Sequence, residues 1–318
     1  MSPAQLGQHP PARQVLVHLS DTHLLAGGAR LGGVVDTLAN LRATLAHVES
    51  TRIRPAALVF TGDLTDVGEP EAYAMLRETV EPVAQRLGAA IVWVAGNHDE
   101  RAPLRRALLP AQPPGADAQG DAADADDRPW DTVTELDGLR LIGLDTSVPG
   151  WHHGELSAEQ LDWLAAQLAA PAARGTILAL HHPPVPSFLP IFELLELRGQ
   201  QALEEVLRGS DVRAILGGHL HYSTFTSFAG IPVSVSSASC YTMDISRPAR
   251  AISGVDGGQA YSLVHVYEDR ITHSVVPVGD FPVTSTFSEE FIRRLEAMTP
   301  AERDEAFSRK RPPAAEPR

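Results

Sequence analysis

Five apolar runs of strand length each stop at a polar cluster, and this pattern constrains the chain more than any other feature. The runs cover 15–19, 57–61, 91–95, 176–180 and 212–216. The clusters that follow are Asp21-Thr22-His23, Gly62-Asp63, Gly96-Asn97-His98-Asp99, His181-His182 and Gly218-His219-Leu220-His221. Between the runs lie stretches of helical period, so the class is α/β with parallel strands. In such sheets ligand sites form beyond the carboxyl ends of the strands, which would bring the five clusters to one rim.

Val34, Leu38, Leu41, Leu45 and Val48 repeat at spacings of 4 and 3, as do Tyr73, Leu76, Val80, Val83 and Leu87 after a first-turn Pro70. Two helices packed on a sheet are predicted. Asp137-Gly138 between two apolar runs predicts a hairpin, and Ser157 with Gln160 a capping box opening a helix that ends near Ala170. A short helix is predicted over 200–207. The runs 224–228, 231–236, 261–267 and 271–276 lack intervening helices, which predicts an antiparallel second sheet. Segment 110–129, rich in Pro, Gly, Ala and Asp, reads as a mobile surface insertion. The expected division is a flexible terminus over 1–14, one domain over 15–287, and an extension over 288–318 with weak helices and a disordered tail over 310–318.

Among 318 residues, 26 basic against 40 acidic side chains leave a net charge of −14. That balance argues against nucleic acid and anionic membranes as partners. No apolar run nears the ~20 residues of a membrane span, and no signal-peptide pattern opens the chain. Cys240, the single cysteine, excludes an internal disulfide framework and favours a reducing compartment, so a soluble cytoplasmic protein is expected.

An isolated Asp-x-His or His-x-His is commonly a surface or satisfied polar pair. Together the clusters offer carboxylates, an amide and imidazoles without a thiolate, a donor set suited to manganese, iron, cobalt or zinc. Two metals sharing a carboxylate need about eight ligand contacts, which this set supplies, whereas one metal would leave ligands idle. The residues alone do not decide between His181 and His182.

This ordered set of motifs resembles the calcineurin-like metallophosphoesterase superfamily. His18-Leu19-Ser20-Asp21-Thr22-His23, Phe60-Thr61-Gly62-Asp63-Leu64-Thr65-Asp66 and Gly217-Gly218-His219-Leu220-His221-Tyr222 are similar to the bacterial class III cyclic nucleotide phosphodiesterases, in particular their mycobacterial cyclic AMP-hydrolysing members. The resemblance implies a four-layer α/β/β/α sandwich of two sheets, with the strands after Val212 completing the second. It implies a first metal held by Asp21, His23 and His221, a second by Asn97, His181 and His219, and Asp63 bridging them. His182 then has a supporting role, and Asp99 orients a ligand imidazole or its loop. Iron and manganese are the implied pair, with two manganese ions, cobalt or zinc as variants. A homodimer is the implied assembly.

Two divalent ions, two aspartates and a hydroxide sum to about +1, or about +2 with one ferric ion, so a phosphate is drawn in locally despite the acidic chain. The expected reaction is in-line attack on phosphorus by a hydroxide held between the metals, with His98 assisting the leaving alkoxide. Asp66 stands where purple acid phosphatases carry a tyrosine, and Val67 where phosphoprotein phosphatases carry a phosphate-clamping arginine. A monoanionic diester needs that clamp less than a dianionic monoester. The expected substrate is a cyclic nucleotide, 3′,5′-cyclic AMP or a 2′,3′-cyclic nucleotide. A glycerophosphodiester is the alternative, and a non-catalytic protein-binding scaffold a minor one. His18 and His265 read as core residues, Tyr73 and Trp93 as packing, Cys240 as a small core residue, and His152-His153 as a surface loop after Asp145, with approach to a substrate as the alternative.

Overall fold

The computed structural model describes residues 5–108 and 127–310. Most of the expected insertion and all but the first residue of the expected tail therefore lie outside the described residues. The chain divides into two compact units, Arg13–Gly279 and one drawn from the two ends.

In the larger unit the strands are β1 (Gln14–Leu19), β2 (Ala57–Thr61), β3 (Ala90–Val94), β4 (Thr132–Leu136), β5 (Leu139–Leu144), β6 (Thr176–Leu180), β7 (Val212–Gly217), β8 (Thr224–Phe228), β9 (Ile231–Val235), β10 (Thr242–Met243), β11 (Gly254–Val255), β12 (Ala260–Val266) and β13 (Ile271–Pro277). Its helices are α1 (Thr37–Ser50), α2 (Pro70–Leu87), α3 (Arg101–Leu108), α4 (Ala158–Leu168) and α5 (Gln200–Leu207). One sheet has the order β13-β12-β1-β2-β3, the other β4-β5-β6-β7-β9-β8, and β10 pairs with β11 alone.

Period-two alternation along each strand divides the core into layers. Leu16, Val59, Val92 and Val94 meet Leu141, Ile177, Ala179 and Leu216 between the two sheets. On the outer face of the first sheet, Val17, Leu58 and Phe60 pack on Leu41, Leu45, Tyr73, Leu76 and Val80 of α1 and α2. Ile142, Leu178, Ile215 and Val233 pack on Leu164, Leu203 and Leu207 of α4 and α5 across the other. The result is the four-layer sandwich of two mixed sheets.

Three local expectations are met and two are corrected. Pro70 opens α2, Ser157 and Gln160 cap α4 reciprocally, and Asp137 and Gly138 turn β4 into β5 with φ of 47° and 84°. Val34 lies outside α1 and is 65% exposed, because Asp36 caps the helix by accepting from Ala39 N. The four late strands do not form one sheet. β8 and β9 extend the sheet of β7, whereas β12 and β13 pair antiparallel onto β1 in the first.

In the terminal unit, α6 (Glu289–Ala297) and α7 (Pro300–Arg303) are capped by Ser288 and Thr299. Phe287, Phe291 and Phe307 cluster with ring centroids 5.4–5.9 Å apart. Leu6, inside the terminus expected to be flexible, lines the same cavity as these rings.

Candidate metal centre

Asp21 and His23 follow β1, Asp63 follows β2, Asn97 and His98 follow β3, His181 and His182 follow β6, and His219 and His221 follow β7. The first three loops leave one sheet and the last two leave the other, so the residues meet across the edge of the sandwich. His181 Nδ1 donates to Thr61 O of β2 at 2.8 Å and ties the two halves together.

Close approach at this edge requires glycine. A Cβ on Gly96 would overlap the backbone N and Oδ1 of Asp63, and one on Gly218 would overlap Ser20 Oγ and sit 2.6 Å from Thr61 O. Asp21, His23, Asp63, His219 and His221 have φ between 42° and 71°, five of the eight non-glycine residues of positive φ among the described residues. Such conformations cost about 1–2 kcal/mol each and concentrate where function requires them.

Each of three imidazoles spends Nδ1–H on an oxygen. His23 donates to Asp66 Oδ1 at 2.9 Å, His181 to Thr61 O, and His221 to Tyr241 O at 3.0 Å. Their Nε2 lone pairs then point at acceptors. His23 Nε2 and His181 Nε2 each lie 3.3 Å from Asp63 Oδ2, and His221 Nε2 lies 3.4 Å from Asp21 Oδ1. His181 Nε2 is also 3.1 Å from Asn97 Oδ1 and 3.2 Å from His219 Nδ1. Lone pairs and carboxylates converging without a donor need positive charge between them. Ligand atoms about 2.1 Å from a cation, at angles of about 90–110°, lie about 3.0–3.4 Å apart, which matches these separations. His23 Nε2, although buried, has no hydrogen-bond partner among the described residues. The donors fit metal ions.

The electrostatics agree. Burial pushes His221 down to about 4 and holds His182 and His219 well below the usual imidazole range. Burial works against charge on His23 and His181 as well, but the carboxylate of Asp63, joined at His23 by Asp66, raises them to about 10 and about 9. Asp63, for all its burial, is held well below the carboxylate range by the same two rings. In the absence of metal, protons take the cations' positions.

Asp63 divides its oxygens. Oδ1 accepts from His98 N at 2.9 Å, leaving Oδ2 shared between His23 and His181. Both nitrogens of His182 are engaged, Nδ1 with Thr146 Oγ1 at 2.8 Å and Nε2 with His152 O at 3.2 Å. Among the described residues Asp99 has no hydrogen bond to an imidazole. It accepts from the backbone N–H of Leu64, Thr65 and Gly96 and from Tyr73 Oη, fixing the loops of Asp63 and Asn97 together. Burial and the charge of Asp63 push Asp99 up to about 6 despite those donors. Tyr73 is thus more than the packing residue its helical spacing indicates.

A cavity of about 410 Å³ opens over the cluster, with Asp63, Asn97, His98, His219 and Tyr241 on its polar side and Leu31, Ile191, Leu195, Met243 and Ile252 on its apolar side. His152 lines it too, and Asn97 Nδ2 donates to its Nδ1 at 2.9 Å. His152 is exposed on its loop, as expected, and also faces the cavity, whereas His153 is buried. The sequence signal for His152 is its place in the loop after Asp145, eight residues past the end of β5. His18 is fully buried and bonded through Nε2 to Thr61 Oγ1, and Cys240 is fully buried.

Residues 15–223 match the calcineurin-like phosphoesterase family. The chain is 53% identical over 312 residues to the cAMP/cGMP dual specificity phosphodiesterase of Mycobacterium tuberculosis, covering 96% of this chain and 94% of the relative. It is 52% identical over 292 residues to a probable cyclic nucleotide phosphodiesterase of Rhodococcus erythropolis, covering 91% and 93%. The fold is like that of a dimetal phosphatase from Danio rerio, with a TM-score of 0.57 at 18% identity over 85% of this chain and 99% of that one.

Proposed function

The chain belongs to the calcineurin-like phosphoesterase family, and from that membership we propose that it hydrolyses small cyclic nucleotides, 3′,5′-cyclic AMP foremost and 2′,3′-cyclic nucleotides with it. The observation that carries this reading is Asp63 Oδ2, 3.3 Å from one imidazole of each donor set. One oxygen so placed suits a pair of metals. Asp21, His23 and His221 would hold the first, Asn97, His181 and His219 the second, and Asp63 both. The hard-to-borderline donors suit manganese, iron, cobalt or zinc, and family membership makes iron with manganese the proposed pair. The names of the relatives from Mycobacterium and Rhodococcus support the cyclic nucleotide, and the apolar wall of the cavity suits a nucleobase.

Bound there, the metals would supply Lewis-acid polarisation of the phosphate and activation of water. The residues of the chain do the rest. Asp66 O accepts from His98 Nδ1 at 2.8 Å, which aims the half-exposed ring. In its imidazolium form His98 gives its Nε2 proton to the departing alkoxide. Asp66 fixes the tautomer of His23, and Asp99 keeps Asp63 and Asn97 in register.

The same reading places catalysis in a domain over 15–287, with a small-molecule diester as partner, a homodimer as assembly and the cytoplasm as location. It assigns neither nucleic acid nor a membrane as partner. The net charge of −14 supports this, and no helix among the described residues is long and apolar enough to cross a membrane.

The test compares kcat/KM of the metal-loaded protein on 3′,5′-cyclic AMP, 2′,3′-cyclic AMP and glycerophosphocholine. Preference for the cyclic nucleotides is expected. Preference for glycerophosphocholine would make the protein a glycerophosphodiesterase, and two bound metals without turnover of any diester would make it a scaffold.

A further inference from the structure

We propose that His152 is a substrate-binding residue whose Nε2–H donates to a phosphoryl oxygen of the bound diester. The proposal rests on the phosphodiesterase reading above and adds a contact that the metal-ligand motifs do not contain.

The tautomer follows from its neighbour. Asn97 turns Oδ1 toward His181 Nε2 and Nδ2 toward His152 Nδ1. An amide nitrogen only donates, so Nδ1 of His152 must accept, and the proton of the neutral ring resides on Nε2. That nitrogen has no hydrogen-bond partner among the described residues, and the ring lines the cavity 5.2 Å from the ring of His98. His98 has the opposite arrangement. Its Nδ1 donates to Asp66 O, which leaves a lone pair on Nε2 of the neutral ring. Of the two imidazoles, His152 is the one that offers a donor without being protonated.

The cavity needs such a donor. Among the described residues lining it there is no lysine or arginine, Val67 replaces the arginine clamp, and Asn97 Nδ2 is already committed. Phosphoryl oxygens that the metals do not take are left with the imidazoles and Tyr241.

Although its ring is exposed, the backbone of His152 is fixed. Trp151 N donates to Val148 O at 2.9 Å, and Gly154 exchanges hydrogen bonds with Glu196 and Arg198 at 3.1 and 2.8 Å. His182 Nε2 donates to the carbonyl of His152 itself. A Cβ on Gly154 would sit 2.6 Å from the ring of His182, so this glycine lets the loop close on that histidine. His182 therefore acts by supporting the His152 loop.

Inorganic phosphate binding to the metal-loaded protein, followed by calorimetry, tests the contact without turnover. His152→Ala should retain the wild-type metal content, weaken phosphate binding by about 10- to 100-fold and lower kcat/KM for 3′,5′-cyclic AMP by a similar factor, as loss of a hydrogen bond to a charged group implies. His152→Gln, with an Nε2 donor, should recover part of both. Unchanged phosphate affinity in His152→Ala would overturn the proposal, as would absence of phosphate binding by the wild type. Loss of one metal per chain would also overturn it, by confining His152 to the support of Asn97. Weakened phosphate binding in a protein that cleaves no diester would uphold the contact and reject the phosphodiesterase reading instead.

Discussion

Asp99 lies two residues past Asn97, yet its Oδ2 accepts the backbone N–H of Leu64, next to Asp63, at 3.0 Å. Both halves of the expected metal pair thereby depend on one carboxylate outside the expected ligand set. Asp99→Ala strands the buried N–H groups of Leu64, Thr65 and Gly96 and the Tyr73 hydroxyl. A loss of about 3–5 kcal/mol in urea unfolding is expected, together with lower metal content.

Asp63 and His98 are adjacent in space but should separate in their effects. Asp63→Ala should empty both metal positions by elemental analysis. His98→Ala should keep two metals and lose about 10²–10⁴ in kcat. Full activity in either variant would remove the mechanism.

Chelation should create a pH dependence that the loaded protein lacks. With imidazoles raised to about 10 at His23 and about 9 at His181, the metal-free fold binds more protons than the unfolded chain above about pH 6.5. The stability that these two groups contribute is complete below that pH and is lost as pH rises through 9 to 10. Thermal melts with and without metal across pH 6–10 check this; parallel curves would contradict it.

Asp131 is a second titrating site, distant from the metals in sequence and role. Burial and the charge of Asp145 raise it to about 6, although it accepts the backbone N–H of Asp145. The folded state therefore holds the proton between about pH 3.8 and 6, and stability falls as pH rises through that window. Asp131→Asn should gain about 1–3 kcal/mol at pH 7.5 and nothing at pH 4.

What the sequence discloses is what is local. The Ser157 capping box, the Asp137-Gly138 turn and the apolar stripe of α2 each need only a few neighbouring residues, and each is present. Strand partners are settled by distant surfaces. Nothing within 261–276 says that β12 will pair with β1 in preference to β9, because the choice depends on which sheet edge is open. The clusters at strand ends are legible for the same reason as the helices, since each motif is contiguous and β-strands carry all of them to one edge. The hydroxyl of Tyr73 reaches the site through tertiary structure alone. The left-handed backbone of Asp21, His23, Asp63, His219 and His221 is likewise set by the assembled loops, since aspartate and histidine ordinarily prefer other conformations.

The hydrogen bond from His181 to Thr61 O is a rivet between two plates. With donors anchored on both sheets, the gap that the proposed pair of cations would occupy is a mechanical property of the whole sandwich. Any slip of one sheet along the other would change that gap before a single strand melts. Catalytic precision here is therefore maintained by Leu16, Val59, Ile177 and Leu216, side chains deep between the plates that never meet the substrate.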